Sequence, residues 1–361
     1  MILATALNAY GHHPLAWRTP GATADRASDG SWFASLARMA EAATLDFVSF
    51  GYPLQSTALA SPERGDAIQL DPLSLASATM TQTHRIGLCA AVATAYWAPF
   101  NIARAFSSFD NLAEGRAAWL VDGALHPDDA KNTSASVTAD VVQARNREFL
   151  QVTRRLWDSW EDDAIVLDKE NARFTDAGKV HRIDHRGAHF TVEGPLNAPR
   201  PVQGRPPIVM ADQSEPGLAL AAEFADVLLV RAPTLEAAAA LSRSVKTQAR
   251  ACDRYGTAPR VLVDALVATS EDLPACDADS LSWRGPAAGL ADLMQAWTAS
   301  GACDGFNLLP ASLPGDLIAV TQTLIPELRR RRLVRDAYED ETLREHLGLT
   351  RPASVFSHAG A

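Results

Sequence analysis

Cysteine is scarce in this chain, with four in 361 residues: Cys89, Cys252, Cys276 and Cys303. They are too widely spaced for CxxC pairs and too few to staple a chain this long. That excludes a disulfide framework and leaves them as small buried apolar residues in a reducing compartment. Long hydrophobic runs are missing too. None approaches the ~18 apolar residues of a membrane span. The opening Met-Ile-Leu-Ala-Thr-Ala-Leu has no basic leader and runs into polar Asn8, so it reads as a first core strand rather than a signal peptide. Nor is there a cationic excess: 33 Lys plus Arg face 43 Asp plus Glu, a formal net charge of -10. That sign is wrong for a surface that tracks phosphates, which excludes a nucleic-acid partner. The basic run at 329–332 closes a helical stretch and reads as cations complementing its C-terminus. A cytoplasmic protein is predicted.

Two nucleotide motifs are absent as well. Neither a Gly-x-Gly dinucleotide fingerprint nor a phosphate-cradling Walker loop occurs, and no Gly-x-Ser-x-Gly marks a hydrolase nucleophile elbow. What is present is a regular alternation of short apolar runs with longer helical patterns. Strands are predicted at 2–8, 46–50, 86–91, 117–121, 207–211, 227–230, 261–269 and 305–309. Helices are predicted at 32–43, 99–111, 137–160, 215–224, 235–252, 290–300 and 314–331. Eight βα units in succession favour an α/β fold closed as a (β/α)8 TIM barrel, a single domain over 1–361.

One stretch breaks the rhythm. From 163 to 205 the chain turns polar and is punctuated by Pro and Gly, which predicts a small hairpin excursion between the fourth and fifth strands. His181, His185 and His189 recur there every four residues. On a strand they would spread over ~26 Å, too far to share one ion, so no metal site is expected.

In such a barrel the chemistry sits where strands end. The loop after the first strand, Tyr10-Gly11-His12-His13-Pro14-Leu15-Ala16-Trp17-Arg18, offers His12 as a catalytic or ligand-contacting residue, with Tyr10 and Trp17 as substrate-side candidates, although a surface loop packed down by Trp17 reads the same way. After the fifth strand, Ala211-Asp212-Gln213-Ser214-Glu215-Pro216-Gly217 opens a helix whose free N–H groups and Ser214 cap form a ready anion site, although capping alone also accounts for the serine.

Several stretches together resemble the flavin-dependent monooxygenases of the bacterial luciferase-like superfamily, in the branch of nitrilotriacetate and long-chain alkane monooxygenases. They include Gly11-His12-His13 with Ala16-Trp17-Arg18, Arg85-Ile86-Gly87-Leu88, Leu156-Trp157-Asp158-Ser159-Trp160-Glu161-Asp162-Asp163, Lys179-Val180-His181-Arg182-Ile183-Asp184-His185, Asp304-Gly305-Phe306-Asn307 and Thr342-Leu343-Arg344-Glu345-His346-Leu347-Gly348-Leu349. The resemblance covers nearly the whole chain. It implies a barrel that takes reduced FMN from a separate flavin reductase, activates dioxygen and oxygenates a small organic substrate, most often as a homodimer. Tyr52, Thr94, Gln143 and Ser214 align with the positions that hold FMN.

The sequence also departs from the family pattern. Tyr52 stands where relatives carry Asp, Ala139 and Gln143 stand for a His and a Tyr, and Asp212 replaces the glycine of the phosphate cradle. The segment 273–285 is shorter than the usual insertion. These departures leave two alternatives open: a flavin-free paralogue serving as a partner subunit, or a deazaflavin-dependent oxidoreductase.

Overall fold

A computed structural model describes every residue except 53–68, 125–140, 253, 255, 270–272, 275–278 and 358–361. The strands β1 (Ile2–Leu7), β2 (Phe47–Phe50), β3 (Gly87–Ala93), β4 (Ala117–Asp122), β9 (Ile208–Met210), β10 (Val227–Val230), β11 (Arg260–Ala268) and β13 (Gly305–Pro310) pair in parallel and close on themselves. The chain is therefore the expected eight-stranded α/β barrel. Such strands are buried on both faces, which is why they read as unbroken apolar runs such as Val-Leu-Leu-Val at β10. The seam is the β1 to β13 pairing, with Ala4 opposite Asn307.

Outward-facing residues pack under helices α1 (Gly30–Ala42), α2 (Pro72–Met80), α3 (Pro99–Leu112), α4 (Val142–Trp157), α5 (Glu215–Phe224), α6 (Leu235–Ala251) and α7 (Ala287–Ala299). Trp119 of β4 is fully buried there, its ring centroid 5.6 Å from Phe106, 6.0 Å from Phe149 and 6.4 Å from Trp157. Inside the barrel Ala4, Phe47, Cys89, Leu120, Val227 and Leu262 form a separate core. Leu343 and Leu347 join it from the short helix α10 (Leu343–His346), plugging the N-terminal end.

Four expectations need correction. The predicted helix at 314–331 is broken into α8 (Gly315–Ala319), a π turn (Val320–Leu324) and α9 (Ile325–Arg330), because Pro326 has no N–H to donate and its ring clashes with the preceding turn. The excursion after β4 is two hairpins rather than one: β5 (Ile165–Asp168) with β6 (Arg173–Thr175), and β7 (His185–Arg186) with β8 (Thr191–Val192). A ninth strand, β12 (Leu281–Arg284), adds in parallel to β11 where only a shortened insertion was expected. Cys89 and Cys303 are buried, but Cys252 follows α6 half-buried, and Cys276 lies outside the described residues. Among the described residues no helix is long and apolar enough to cross a membrane.

Candidate active site at the barrel mouth

The loop after β1 is stitched to the end of β13. His12 N–H donates to Pro310 O at 2.8 Å and His13 N–H to Ala311 O at 3.0 Å. This close approach requires Gly11, which sits at φ +125° where a Cβ would lie 2.3 Å from Ala311 O. The His12 ring is thereby turned toward β1, with Nε2 2.9 Å from Ala6 O, while Nδ1 is buried without a partner among the described residues. A carbonyl can only accept, so Nε2 carries the proton and Nδ1 presents a lone pair. Burial lowers the imidazole to about 4, only partly offset by the Ala6 hydrogen bond, so the ring is neutral at physiological pH.

Tyr52, at the end of β2, turns inward and donates to Asp264 of β11, and Asn307 Nδ2 donates to the other carboxylate oxygen at 2.8 Å. Asp264 is 1% exposed, and its burial raises the carboxyl to about 6 against the opposing pull of Tyr52, Asn307 and the Arg231 charge. Tyr52 is itself held well above the usual phenol range by burial and then by Asp264. Ser49 Oγ and Asn307 Oδ1 are buried with no partner among the described residues. Buried polar atoms normally find partners, so the upper barrel carries unmet hydrogen-bonding capacity. Asp264, Asn307 and Arg231 were not singled out as site residues from sequence. For Asp264 and Asn307 the only local signal is a polar side chain inside an apolar strand run, as in Val261-Leu262-Val263-Asp264, and Arg231 directly follows such a run.

Thr94 follows β3 fully buried, and its hydroxyl donates to Asn146 Oδ1 of α4 at 2.6 Å, so its proton is turned toward the helix. Gln143 lies half-buried in the first turn of α4, and Ala139 is outside the described residues. Further along α4, Glu148 accepts from the His189 and Phe190 backbone N–H groups and sits 2.9 Å from His185 Nε2. Burial pushes the Glu148 carboxyl up, but these three bonds outweigh it and hold it low. His181 instead meets Glu161 at 2.7 Å and stacks on Phe356. Tyr10 is half-buried and packs on the main core, and Trp17 of the same loop is 40% exposed.

At the N-terminus of α5, Ser214 Oγ accepts from Gly217 N–H at 3.1 Å, and Asp212 Oδ1 accepts from Ser214 N–H at 2.9 Å. A Cβ built on Gly217 would lie 2.2 Å from the Asp212 carboxyl carbon. The bare glycine surface at the helix end is covered by a carboxylate of the chain itself.

The family model for luciferase-like monooxygenases matches residues 16–311. The chain belongs to the luciferase-like monooxygenase family. Among relatives of the family, N-acetyl-S-(2-succino)cysteine monooxygenase of Bacillus subtilis is 31% identical over 96% of both chains. Nitrilotriacetate monooxygenase component A of Aminobacter aminovorans is 32% identical over 95% of both. The solved structure of EDTA monooxygenase from Chelativorans sp. BNC1 superposes with a TM-score of 0.85 at 25% identity, covering 97% of this chain and 98% of that one.

Fit to a flavin divides at this site. The unmet buried atoms Ser49 Oγ and Asn307 Oδ1 suit the polar edge of a flat heterocycle. The α5 end does not suit the FMN phosphate, because the Asp212 carboxylate already occupies the space and the hydrogen bond that an anion would take.

Proposed function

We propose that this chain is the oxygenase component of a two-component flavin-dependent monooxygenase, using reduced FMN from a separate reductase and dioxygen to oxygenate a small organic substrate. The observation that carries this reading is the set of unpartnered buried polar atoms in the upper part of a luciferase-like barrel. The relative named as a component A supports the two-component arrangement. A reduced flavin supplies the two electrons that activate dioxygen. The chain's own residues bind and orient. Neutral His12 offers an acceptor to the substrate, Tyr10 and Trp17 border the loop it lies on, and the Tyr52 hydroxyl links the mouth to the Asp264 carboxyl, which can hold a proton near pH 6.

The test is anaerobic titration of the purified chain with reduced FMN, followed by fluorescence, with riboflavin and a deazaflavin in parallel. Saturable binding of a reduced flavin is expected. Binding of the deazaflavin alone would replace the monooxygenase reading with hydride transfer. Asp212 favours a second reading, a flavin-free partner subunit; on that reading no flavin binds in any redox state, and the chain co-purifies with a second, flavin-loaded chain.

A further inference from the structure

The end of the barrel opposite the mouth holds a cavity of about 340 Å3, bordered by Ile208 at the start of β9 and by Asp226 just before β10. Four arginines line it, Arg154, Arg205, Arg344 and Arg351, and Asp226 is the single carboxylate among the described lining residues. Among the described residues counter-charges run short around them. Arg344 takes both oxygens of Asp226 at 3.2 Å. Arg205 shares the fully buried Asp158 with Arg200, and Arg351 shares Asp162 with that same Arg200.

Arg154 is left to the carbonyls of Glu223 at 3.3 Å and Phe224 at 2.6 Å. Adjoining Arg254 is left to those of Ala222 at 2.7 Å and Ala225 at 2.9 Å. These carbonyls belong to the C-terminus of α5, which offers roughly half a negative charge. Two guanidiniums exceed it. Among the described residues six arginines therefore face four aspartates, the fourth being Asp110, which acts on Arg344 and Arg351 by charge while its oxygens are taken by Gln203. The Nε atoms of Arg200 and Arg254 are buried without partners among the described residues. Burial, followed by the like charges of Arg205, Arg254 and Arg344, holds the Arg154 guanidinium down at about 9 despite Asp226.

We propose that this cavity is a binding site for a small polyvalent organic anion bearing phosphate or carboxylate groups, held by Arg154, Arg344 and Arg351. The forked donors of arginine match the oxygens of either group. The volume falls within the range of small-molecule sites, and Ile208, Leu349 and Val355 give the carbon skeleton an apolar wall. Part of the lining comes from the C-terminal segment 349–355, so an occupant would tie that segment to the barrel.

Isothermal titration of the full chain with pyrophosphate, and separately with citrate, tests the proposal, with potassium chloride at matched ionic strength as the blank. Saturable heat with at least one probe is expected, and the tighter probe identifies phosphate or carboxylate as the preferred group. Arg154→Gln is expected to weaken binding roughly tenfold or more. Arg351→Gln, at an exposed position and checked for native circular dichroism, is expected to weaken it severalfold. The proposal is overturned by heats no larger than the chloride blank for both probes, or by unchanged affinity in both variants, which would place the anion elsewhere.

Discussion

A carboxylate beside a helix N-terminus satisfies the free N–H groups and repels any second anion. In this chain Asp212 does both, with Ser214 N–H on one oxygen and the Gly217 surface beneath its carboxyl. Two unit charges ~4 Å apart at an effective dielectric of ~20 repel by about 4 kcal/mol, and solvent screening at the helix end reduces this. Asp212→Gly is accordingly expected to tighten FMN binding at least ~10-fold while leaving riboflavin, which lacks the phosphate, unchanged. Asp212→Asn keeps the volume and removes the charge, so its effect separates repulsion from crowding. An FMN affinity indifferent to both substitutions would show that the phosphate lies elsewhere. The Asp212 to Ser214 arrangement at the start of α5 was legible in the sequence because it sits within a short, local motif. The Tyr52 to Asp264 bond was not. It joins β2 to β11 across the barrel, and which inward residues meet at that distance depends on the stagger of closure, which no local pattern encodes.

Among the elements, strands were the most legible, since parallel strands buried on both faces announce themselves as apolar runs. Helix α5 was predicted at its observed bounds because Ser214, Pro216 and the following apolar face mark the start. Helix α2 escaped notice. Its stretch Leu73-Ser74-Leu75-Ala76-Ser77-Ala78-Thr79, rich in Ser and Thr, has little amphipathic contrast, although Asp71 caps Ser74 N–H at 2.8 Å and Pro72 opens the first turn.

Four residues are too few to hold a helix alone, so α10 depends on its Thr342 and Glu345 capping box and on Leu343, which is fully buried under the barrel. The fit there is close: a Cβ on Gly87 would lie 2.5 Å from Leu343 Cδ1. Leu343→Ala is expected to cost about 2–5 kcal/mol of unfolding free energy, measured by urea denaturation. An effect below about 1 kcal/mol would mean that the N-terminal plug contributes little to the barrel.

At the scale of the whole molecule, two sets of buried groups set the response to pH with opposite signs. Burial raises Asp46, Asp110 and Asp264 from 3.8 to about 6. The folded state then binds their protons more tightly than the unfolded one, so stability from these groups is full below about 3.8 and lost as pH rises through about 6. Burial lowers His12 to about 4 and lowers His13 and His346 as well. Here the unfolded state is the better base, so stability is full above about 6.5 and lost as pH falls. The windows overlap between pH 4 and 6.5, and the wild-type melting temperature should vary little across them. Single substitutions unmask the balance. Asp264→Asn removes one acid that favours the folded state at low pH and should tilt the profile toward lower stability on acidification, with a gain at pH 7.5 of up to about 3 kcal/mol. His12→Asn should tilt it the other way. Calorimetry of both variants from pH 4.5 to 7.5 decides the matter, because tilts of the same sign would be incompatible with a proton held at Asp264 and a neutral ring at His12.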